Sequence, residues 1–410
     1  MRSFLFSLKR RLRKSRSFYL FLGQLMGLCW NIPMGLARLF RGTDDNLVVF
    51  SSLDYRAYGD SPRLISERLH AIRPDIKIVW LFKDPGAARQ RYSIPDYVRV
   101  LPFSPRHPVG ACAMARARVV VDSYNKKFYL RFPGRNQLYI QTWHGDRPFK
   151  KIGFDHGDQH LRMLEERCSL FLTGSDYGER IIRRAFHYNG EILKAGMPRN
   201  DILLHADSKL CAEIRARLGL DANTRALLYA PTFRDSETRA HKQQRVPLDI
   251  HHTLDALERS TGKEWKCLVR AHYMSFGIPL DDDTGRLIPV SDYPEMAELL
   301  LAADALLTDY SSCAGDYVLL GRPIFLYQED LDDYRGNSRD LYVDMADTPF
   351  WTASTPEELD RIIESATPER VQENCDAIMR FYGMAESGRA TQAAVDYIIA
   401  GLQSYRGETR

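Results

Sequence analysis

Four segments of the chain end in side chains that are suited to binding or transferring a phosphate. The clearest is 304–334, where an apolar run stops at Thr308-Asp309-Tyr310-Ser311-Ser312 and a second apolar run starts at Pro323. The pattern predicts a strand, a polar turn, a helix and another strand. Ser311 and Ser312 would then stand at a helix N-terminus, where free N–H groups and the helix dipole favour an anion. A helix cap formed by Ser312 would explain the same residues equally well.

The other three segments repeat this layout, with a strand-like run followed by a basic or polar ending. They are Gln137–Trp143 before His144-Gly145, Ala226–Pro231 before Thr232-Phe233-Arg234, and Trp265–Val269 before Arg270-Ala271-His272. In an open parallel sheet, ligands bind just beyond the carboxyl ends of the strands. Because four predicted strands end in this way, a phosphate-handling enzyme is a better explanation than coincidence.

Strand-like and helix-like segments alternate along most of the chain, which predicts an α/β fold with parallel, doubly wound sheets. Two Rossmann-like halves would face each other across a cleft lined by their carboxyl-end loops. No GxGxxG segment follows a strand, which argues against a nicotinamide or flavin site. The strands expected in the first half are Leu47–Ser51, Ile76–Phe82, Val98–Leu101, Arg118–Val121, Leu138–Trp143, Leu170–Thr173 and Ile192–Lys194. Those expected in the second half are Ala226–Ala230, Trp265–Val269, Ala305–Thr308 and Ile324–Tyr327.

We predict four regions along the 410 residues. Residues 1–42 form a basic, apolar membrane-associating segment, 43–205 an N-terminal Rossmann-like domain and 206–385 a C-terminal one. Residues 386–410 form a helix that packs back on the N-terminal domain.

The net charge of +4 hides an uneven distribution, because residues 1–41 carry +9 and leave −5 for the rest of the chain. The same segment contains the apolar run Phe18–Trp30, which at 13 residues is shorter than the ~20 needed to cross a bilayer. Apolar and basic residues together predict a peripheral helix on an anionic membrane surface. The segment has no cleavage site of the kind that ends a signal peptide. The alternative to a membrane-associating segment is a nucleic-acid-binding or disordered tail. Elsewhere, no zinc-finger or RNA-binding module is present.

Seven scattered cysteines without CxxC spacing indicate reduced core residues of a cytoplasmic protein. His251-His252 lacks the spacing of metal ligands, and Asp281-Asp282-Asp283 reads as a solvated loop. We therefore predict neither a metal site nor a cofactor, although a donor-bound Mg²⁺ is compatible with the sequence.

Five short motifs in a fixed order resemble the CDP-glycerol glycerophosphotransferases, which include teichoic-acid polymerases and primases and related capsule polymerases. They are Trp143-His144-Gly145, Gly196-Met197-Pro198-Arg199-Asn200-Asp201, Tyr229 to Asp235, Arg270-Ala271-His272 and Thr308 to Ser312. Gly321-Arg322-Pro323-Ile324 and Asp330-Leu331-x-x-Tyr334 also match. The resemblance covers about residues 47–345 and implies a two-domain fold of the glycosyltransferase-B type. The second domain would hold a CDP-alcohol donor, and the first would face the acceptor.

Two departures from the family pattern stand out. Asp146-Arg147-Pro148-Phe149 follows Gly145 where the family has Thr-Pro-Leu, so this chain is one residue longer there. Arg339-Asp340 replaces an Arg-Gly pair. Both changes bear on the acceptor or on the donor's alcohol, and neither removes a histidine or a phosphate-contacting serine.

The resemblance implies transfer of an alditol phosphate, such as glycerol phosphate, from a CDP-alcohol to an acceptor hydroxyl, with release of CMP. The acceptor would be a lipid-linked or polymeric glycan at the cytoplasmic face of the cell membrane, in teichoic-acid or capsule synthesis. His144 is the candidate general base, and the alternative is a structural histidine that closes a strand. His272 and Arg270 would hold the diphosphate. The remaining candidates for substrate binding are Arg199, Arg234, Asp309, Ser311, Ser312, Asp316 and Asp330.

Three other functions fit parts of the sequence. A sugar-nucleotide glycosyltransferase of the same fold would attack an anomeric carbon instead of phosphorus. A hydrolase would use Ser311 as nucleophile, but the segment lacks a Gly-x-Ser-x-Gly elbow. A non-catalytic membrane-bound scaffold would keep the fold alone. Arg234 has its own alternative, a surface ion pair with Asp235 that contributes little.

Overall fold

The computed structural model describes residues 16–124, 130–156, 167–232, 248–270, 283–335 and 340–407. Two parallel sheets form the framework, each in its own α/β domain. The expectation of an α/β protein with two parallel-sheet domains is therefore confirmed.

The first sheet has seven parallel strands in the order β3-β2-β1-β4-β5-β6-β7. Its central strands are runs of Val, Ile, Leu and Phe with both faces buried, as expected for a parallel sheet covered on two sides. The chain reverses its winding direction between β1 and β4, which is the topological switch point. The strands are β1 Asp44–Ser51, β2 Lys77–Phe82, β3 Val98–Pro102, β4 Ala117–Asp122, β5 Leu138–Gln141, β6 Leu170–Thr173 and β7 Glu191–Lys194.

The helices before and within this domain are α1 Arg16–Arg41, α2 Asp60–Ile72, α3 Pro85–Arg91, α4 Val109–Arg116 and α5 Asp176–Ala185. The sequence shows a second apolar piece, Met34–Phe40, after Pro33, but α1 is one continuous helix with Pro33 inside it. Trp30 and Met34 on its inner face are buried, and Trp30 stacks on Phe103 at 4.5 Å. Arg38 donates hydrogen bonds to the carbonyls of Ala115 and Arg131. α1 is therefore docked on the first domain by its inner face.

The second sheet repeats the same winding with six parallel strands in the order β10-β9-β8-β11-β12-β13. Its switch point lies between β8 and β11. The strands are β8 Arg225–Tyr229, β9 Trp265–Val269, β10 Leu287–Pro289, β11 Ala305–Thr308, β12 Ile324–Tyr327 and β13 Trp351–Ala353. The three-residue strands β10 and β13 at the two edges were not predicted from the sequence.

The helices that connect and cover the second sheet are α6 Asp201–His205, α7 Ser208–Arg217, α8 Ile250–Thr261, α9 Met296–Ala302, α10 Cys313–Tyr317, α11 Leu331–Asp333, α12 Pro356–Glu364 and α13 Pro368–Tyr382. The sequence predicts a helix over Gly315–Leu320. In the structure α10 starts two residues earlier, ends at Tyr317 and continues as a 3₁₀ turn over Val318–Leu320. The sequence also predicts a helix over Leu161–Arg167, and that segment lies almost wholly outside the described residues.

The last helix, α14 Ala390–Gly407, returns to the first domain. Its buried side chains Val395, Ile398 and Leu402 share one hydrophobic cluster with Val48 and Val121 of the first sheet. The N–H groups of Ala390 and Thr391 donate to the carboxylate of Asp201 at 3.0 and 2.8 Å. α14 thus covers one face of the first sheet.

Candidate active site

His144 lies three residues beyond β5, on the side where the strands of the first sheet end. The polypeptide turns sharply there, because Trp143 has a φ of 53° in the left-handed region that non-glycine residues rarely adopt. The Trp143 ring is buried and meets Phe186 edge to face at 4.7 Å. The turn thereby directs the next side chain, His144, into the space between the domains.

The tautomer of His144 follows from one hydrogen bond. Its Nδ1 lies 2.8 Å from the carbonyl oxygen of Ser123, just past β4. Since a carbonyl can only accept, Nδ1 carries the hydrogen and Nε2 of the neutral ring is a free base. Burial lowers the pKa of His144 below its ordinary value of 6.5, although the Ser123 carbonyl and Asp60 oppose that effect. The ring is therefore neutral and able to accept a proton at physiological pH.

Ser311 and Ser312 lie just beyond β11 in the second domain and face His144-Gly145. A Cβ atom placed on Gly145 would come 2.8 Å from Oγ of Ser312. Ser312 has helical backbone angles and its side chain makes no capping hydrogen bond to α10. The structure therefore does not support the capping explanation, and the Ser312 hydroxyl is available at the domain boundary.

A crevice of about 260 Å³ separates these two segments. Its walls come from both domains, and it lies beyond the carboxyl ends at the switch points of both sheets. That is where open α/β sheets bind ligands. The polar side chains that line it are Asp60, His144, Arg199, Asn200, Arg270, Ser311, Ser312 and Asp316.

Arg270 brings a cation to this crevice from the end of β9. Its guanidinium donates to the carbonyl oxygen of Tyr293 at 2.8 Å, which fixes the side chain. Burial lowers the pKa of Arg270 from its ordinary value of 12.5, because a buried guanidinium with few carboxylates nearby is costly to charge. An anion in the crevice would offset that cost.

Arg199 and Asp316 form an ion pair across the domains at the floor of the crevice, 3.2 Å apart. Asn200 also donates to Asp316 at 2.9 Å, and Arg199 lies 3.6 Å from Asp60. Burial alone would raise the pKa of Asp316, but Arg199 and Arg147 outweigh it and keep that pKa below its usual value. Asp316 is therefore an anion already balanced by protein cations, and it positions Arg199.

The match to known proteins agrees with this geometry. The model of the CDP-glycerol:poly(glycerophosphate) glycerophosphotransferase family matches residues 34–400. This chain belongs to that family. The family resemblance read from the five motifs is thus confirmed.

Among its relatives is the teichoic acid poly(glycerol phosphate) polymerase of Staphylococcus epidermidis, 30% identical over 377 residues. That match covers 86% of this chain and 50% of the relative. The teichoic acid glycerol-phosphate transferase of Staphylococcus aureus is 30% identical over 318 residues, with 73% and 78% covered. The chain therefore spans about half the length of the first of these relatives, and most of the second.

The solved structure of the wall teichoic acid polymerase TagF soaked with CDPG is similar over the whole fold. The TM-score is 0.78 at 28% identity, and the match covers 91% of this chain and 94% of that one. The two-domain framework described above is thus the framework of that polymerase.

The first departure from the family pattern, Asp146-Arg147, lies in a buried ionic cluster between the domains. The Arg147 side chain is fully buried and donates to Asp316 at 2.6 Å and to Glu386 at 2.9 Å. Asp146 lies 3.3 Å from the same guanidinium and accepts from the hydroxyl of Ser175 at 2.9 Å. Burial would lower the pKa of Arg147, but the three carboxylates raise it well above its ordinary value. Arg147 is thus a permanent cation that ties the two domains to the C-terminal segment.

The second departure also lies at the domain boundary. Asp340 pairs with Lys151, and the backbone N–H of Lys151 donates to the Asp340 carbonyl at 2.8 Å. The N–H of Tyr342 donates to the Phe149 carbonyl at 2.8 Å. Both departures thus lie where the two domains are joined. Arg339 lies outside the described residues.

Two of the predicted substrate-binding carboxylates lie behind the crevice. Asp309 accepts the backbone N–H of Thr232 at 2.9 and 3.0 Å, which braces the end of β8 against β11. Asp330 accepts from the hydroxyl of Tyr310 at 3.0 Å, and Tyr310 stacks on Tyr334 at 3.9 Å. Neither is among the side chains that line the crevice, and a contact of either with the donor stays a prediction.

Two other predicted residues, Arg234 and His272, lie outside the described residues. Their roles therefore stay predictions from the sequence. Pro231, just after β8, and Arg270, just after β9, line the crevice, and Arg234 and His272 follow them along the chain by three and two residues.

Sequence reasoning missed Asp60, Asn200 and Glu386. Asp60 starts α2 with a φ of 58°, and Leu53, Asp54 and Tyr55 earlier in the same loop are also left-handed. Strained backbone of this kind is concentrated at functional sites, but no residue type announces it. Asn200 belonged to a motif already noted, Gly196 to Asp201, from which Arg199 was taken as the candidate for substrate binding. Glu386 had no local signal at all.

Proposed function

We propose that this protein transfers an alditol phosphate, specifically glycerol phosphate, from a CDP-alcohol to an acceptor hydroxyl and releases CMP. The acceptor is a lipid-linked or polymeric glycan in the synthesis of a teichoic-acid-like or capsular polymer. One observation carries the proposal. The unprotonated Nε2 of His144, from the first domain, and the hydroxyl of Ser312, from the second, line the same crevice. The names of the relatives, which are glycerol-phosphate polymerases and transferases, support the same chemistry.

In the first part of the reaction, the donor's diphosphate lies against the second domain. Arg270 supplies a cation, and the hydroxyls of Ser311 and Ser312 supply hydrogen-bond donors at the end of β11. Arginine is well suited to phosphate because its planar guanidinium makes paired hydrogen bonds. Burial makes the charged form of Arg270 unfavourable, and the negative charge of a bound diphosphate offsets that penalty. The offset favours binding of the donor.

In the transfer step, the acceptor hydroxyl attacks the phosphorus that carries the glycerol. His144 Nε2 takes the hydroxyl proton as the new P–O bond forms. The bond from that phosphorus to the oxygen of CMP breaks, and CMP leaves with the electron pair. Phosphoryl transfer depends mainly on positioning and charge stabilisation, which a two-walled crevice provides.

A panel of donors tests this function. The protein is incubated with CDP-glycerol, CDP-ribitol and several UDP-sugars, and the released nucleotides are identified. We expect CMP from CDP-glycerol, with acceptor-dependent turnover that is lost when His144 is replaced. Release of UDP from a sugar nucleotide, with no CMP, would show instead a glycosyltransferase on this fold.

We further propose that α1 holds the protein on the cytoplasmic face of the membrane as a peripheral anchor. Its outer face exposes large apolar side chains three or four residues apart, a pattern that soluble surfaces rarely present. Leu25 is 54% exposed, Leu28 51% and Ile32 56%. In the described residues, no helix is both long and apolar enough to cross a bilayer. Free cysteines throughout are in keeping with a reducing compartment.

Vesicle co-sedimentation tests the anchor. Deleting the whole segment would also remove the buried Trp30 and Met34, so the test replaces only outer-face residues. We expect Leu25→Ser/Leu28→Ser/Ile32→Ser to release the protein from anionic vesicles. The matched control is Ile72→Ser, which changes an exposed apolar residue at the end of α2. Unchanged sedimentation of the triple variant would contradict the anchor.

A further inference from the structure

A second and larger cavity lies at the other end of the first domain. It is a groove of about 850 Å³ between α1, α4 and the beginnings of β1, β2 and β3. Cavities of 300–1,000 Å³ are typical of small-molecule sites. The catalytic crevice is at the carboxyl ends of the same strands. Because β1 has eight residues, at about 3.3 Å each, the groove and the crevice are roughly 20 Å or more apart.

The interior of this groove is apolar and its opening continues onto the outer face of α1. Leu47, Val79 and Leu101 of the sheet form its floor. Leu36 and Phe40 of α1 stand at its edge and are 49% and 77% exposed. A hydrocarbon chain could therefore pass from the exposed face of α1 into the groove without crossing a polar barrier.

The polar residues of the groove are mostly cations. Arg41, Lys77, Arg99 and Arg116 line it, and among the described residues that line it the only acid is Asp44. Asp44 lies 2.9 Å from Lys77 and 4.0 Å from Arg116, so this one carboxylate is shared by two of the four cations and leaves a net charge of +3 among these five residues. Nε of Arg116 is buried and makes no hydrogen bond within the described structure. A negatively charged headgroup beside the apolar floor would neutralise the excess positive charge and could accept a hydrogen bond from Arg116.

We propose that this groove binds one anionic phospholipid of the bilayer, with an acyl chain on the apolar floor and the phosphate among the arginines. The proposal goes beyond the transfer reaction and does not depend on it. Residues 1–15 of this chain also contain apolar side chains, but they carry six cations and no acid. Like charges at the rim disfavour that segment, and disfavour α1 of a second copy for the same reason.

The test uses a monomeric lipid probe, so that adsorption of α1 to a vesicle surface does not contribute. Fluorescent dioctanoyl phosphatidylglycerol is titrated into the full-length protein below the concentration at which the lipid forms micelles. We expect it to bind at least about tenfold more tightly than the zwitterionic phosphatidylcholine probe of the same chain length. Equal binding of the two probes would overturn the proposal.

Two substitutions locate the bound probe. Ala37→Trp fills the groove from α1 and is expected to weaken binding of both probes about tenfold or more. Arg99→Glu, at an exposed position on the rim, is expected to remove the preference for the anionic probe. The matched control is Arg89→Glu on α3, which is exposed and outside the groove and should change nothing. An equal effect of Arg89→Glu, or no effect of Ala37→Trp, would contradict the site.

Two further measurements cover a variant that is destabilised and an alternative occupant of the groove. If Ala37→Trp lowers the thermal transition, photo-crosslinking with a diazirine-labelled phosphatidylglycerol replaces it, and adducts are expected on α1, α4 or the start of β2. Adducts only elsewhere would overturn the proposal. Phe4→Ser/Leu5→Ser/Phe6→Ser in the full chain tests the N-terminal segment as occupant. A several-fold rise in probe binding by that variant would show that residues 1–15 fill the groove.

Discussion

At the scale of single residues, His144 is held in the tautomer that a general base needs. We predict that His144→Asn lowers turnover by ~10²–10⁴, the usual contribution of general base catalysis. Binding of CDP-glycerol, measured by calorimetry, should change little. The control is His70→Asn, ten residues along α2 from Asp60 and therefore about 15 Å further from the crevice. Loss of donor binding without a loss of turnover per bound donor would assign His144 to binding instead.

The pH dependence gives a second readout of the same residue. Since burial lowers the pKa of His144, the neutral base persists below pH 6.5. The acid limb of kcat/KM is therefore expected below that value, and activity falls there as pH falls and the ring becomes charged. His144→Asn should lack this limb. A limb that survives in the variant would belong to another group.

Gly145 tests the contact between the domains. In Gly145→Ala, the new Cβ would lie 2.8 Å from Oγ of Ser312, so that hydroxyl must rotate away. We predict a fall in turnover of about 10- to 100-fold, since a hydrogen bond to a charged group is worth ~1.5–3 kcal/mol. Gly35→Ala on α1, where nothing lies within 4 Å, is the control.

A double variant separates the two causes of that fall. In Ser312→Ala the hydroxyl is already absent, so adding Gly145→Ala should cost little more. A further fall of the same size in the double variant would show that Gly145→Ala acts through something other than the Ser312 hydroxyl.

Arg147 should be a large contributor to the free energy of unfolding. In Arg147→Met, Asp316 loses a cation and Asp146 and Glu386 are left buried without one, which typically costs ~3–5 kcal/mol. Denaturant unfolding measures this loss. Arg183→Met is the control, since its pair with Glu179 is on the surface and worth ~0.2–1 kcal/mol. Similar losses in the two variants would contradict a special role for the buried cluster.

At the scale of elements, α2 and the loop before α9 meet beside the crevice through Arg63 and Glu295, 3.4 Å apart. Burial raises the pKa of Glu295 from 4.5 to about 7, despite the opposing charge of Arg63. The folded state therefore binds an extra proton between those pH values, and this carboxyl makes the protein less stable as pH rises through that range.

We accordingly predict that Glu295→Gln is more stable than the parent protein at pH 8, by up to ~3 kcal/mol. The difference should shrink as pH falls and vanish below about 4.5, where both forms are neutral. Denaturant unfolding at a series of pH values measures it. A constant difference across the series would mean that Glu295 does not titrate in this range.

The elements that could be predicted from the sequence are those with strong local signals. Leu170–Thr173, Trp265–Val269, Ala305–Thr308 and Ile324–Tyr327 have the predicted bounds, because each is an apolar run between polar turns. The edge strands β10 and β13 have three residues each, too few for a pattern. The continuity of α1 across Pro33 was likewise not visible, because packing against the first domain outweighs the local cost of proline.

The residues of the site also fall into those that could be predicted from the sequence and those that could not. His144, Arg270 and the Ser311-Ser312 pair could be predicted because each lies within four residues of the carboxyl end of a strand. The buried cluster could not, since Arg147 is 169 residues from Asp316 and 239 from Glu386 along the chain. Only the folded molecule decides which of many charged residues become neighbours.

At the scale of the whole molecule, two sheets of identical winding present their switch points to each other. The crevice exists because both sets of carboxyl ends meet there, and neither domain alone has both His144 and Ser312. The ionic cluster around Arg147 and the backbone hydrogen bonds between 149–151 and 340–342 fix how the two walls are spaced. The proposed attack at phosphorus therefore depends on how the two domains are placed relative to each other.

The most direct test follows the glycerol-bearing phosphorus of the donor into the products. CDP-glycerol carrying radioactive phosphorus at the glycerol-bearing position is incubated with the protein and its acceptor. Attack at that phosphorus predicts that all transferred label enters the polymer and that the released nucleotide is unlabelled CMP. Labelled CDP as the released nucleotide would mean that a carbon–oxygen bond was broken, and would contradict transfer of glycerol phosphate in this crevice.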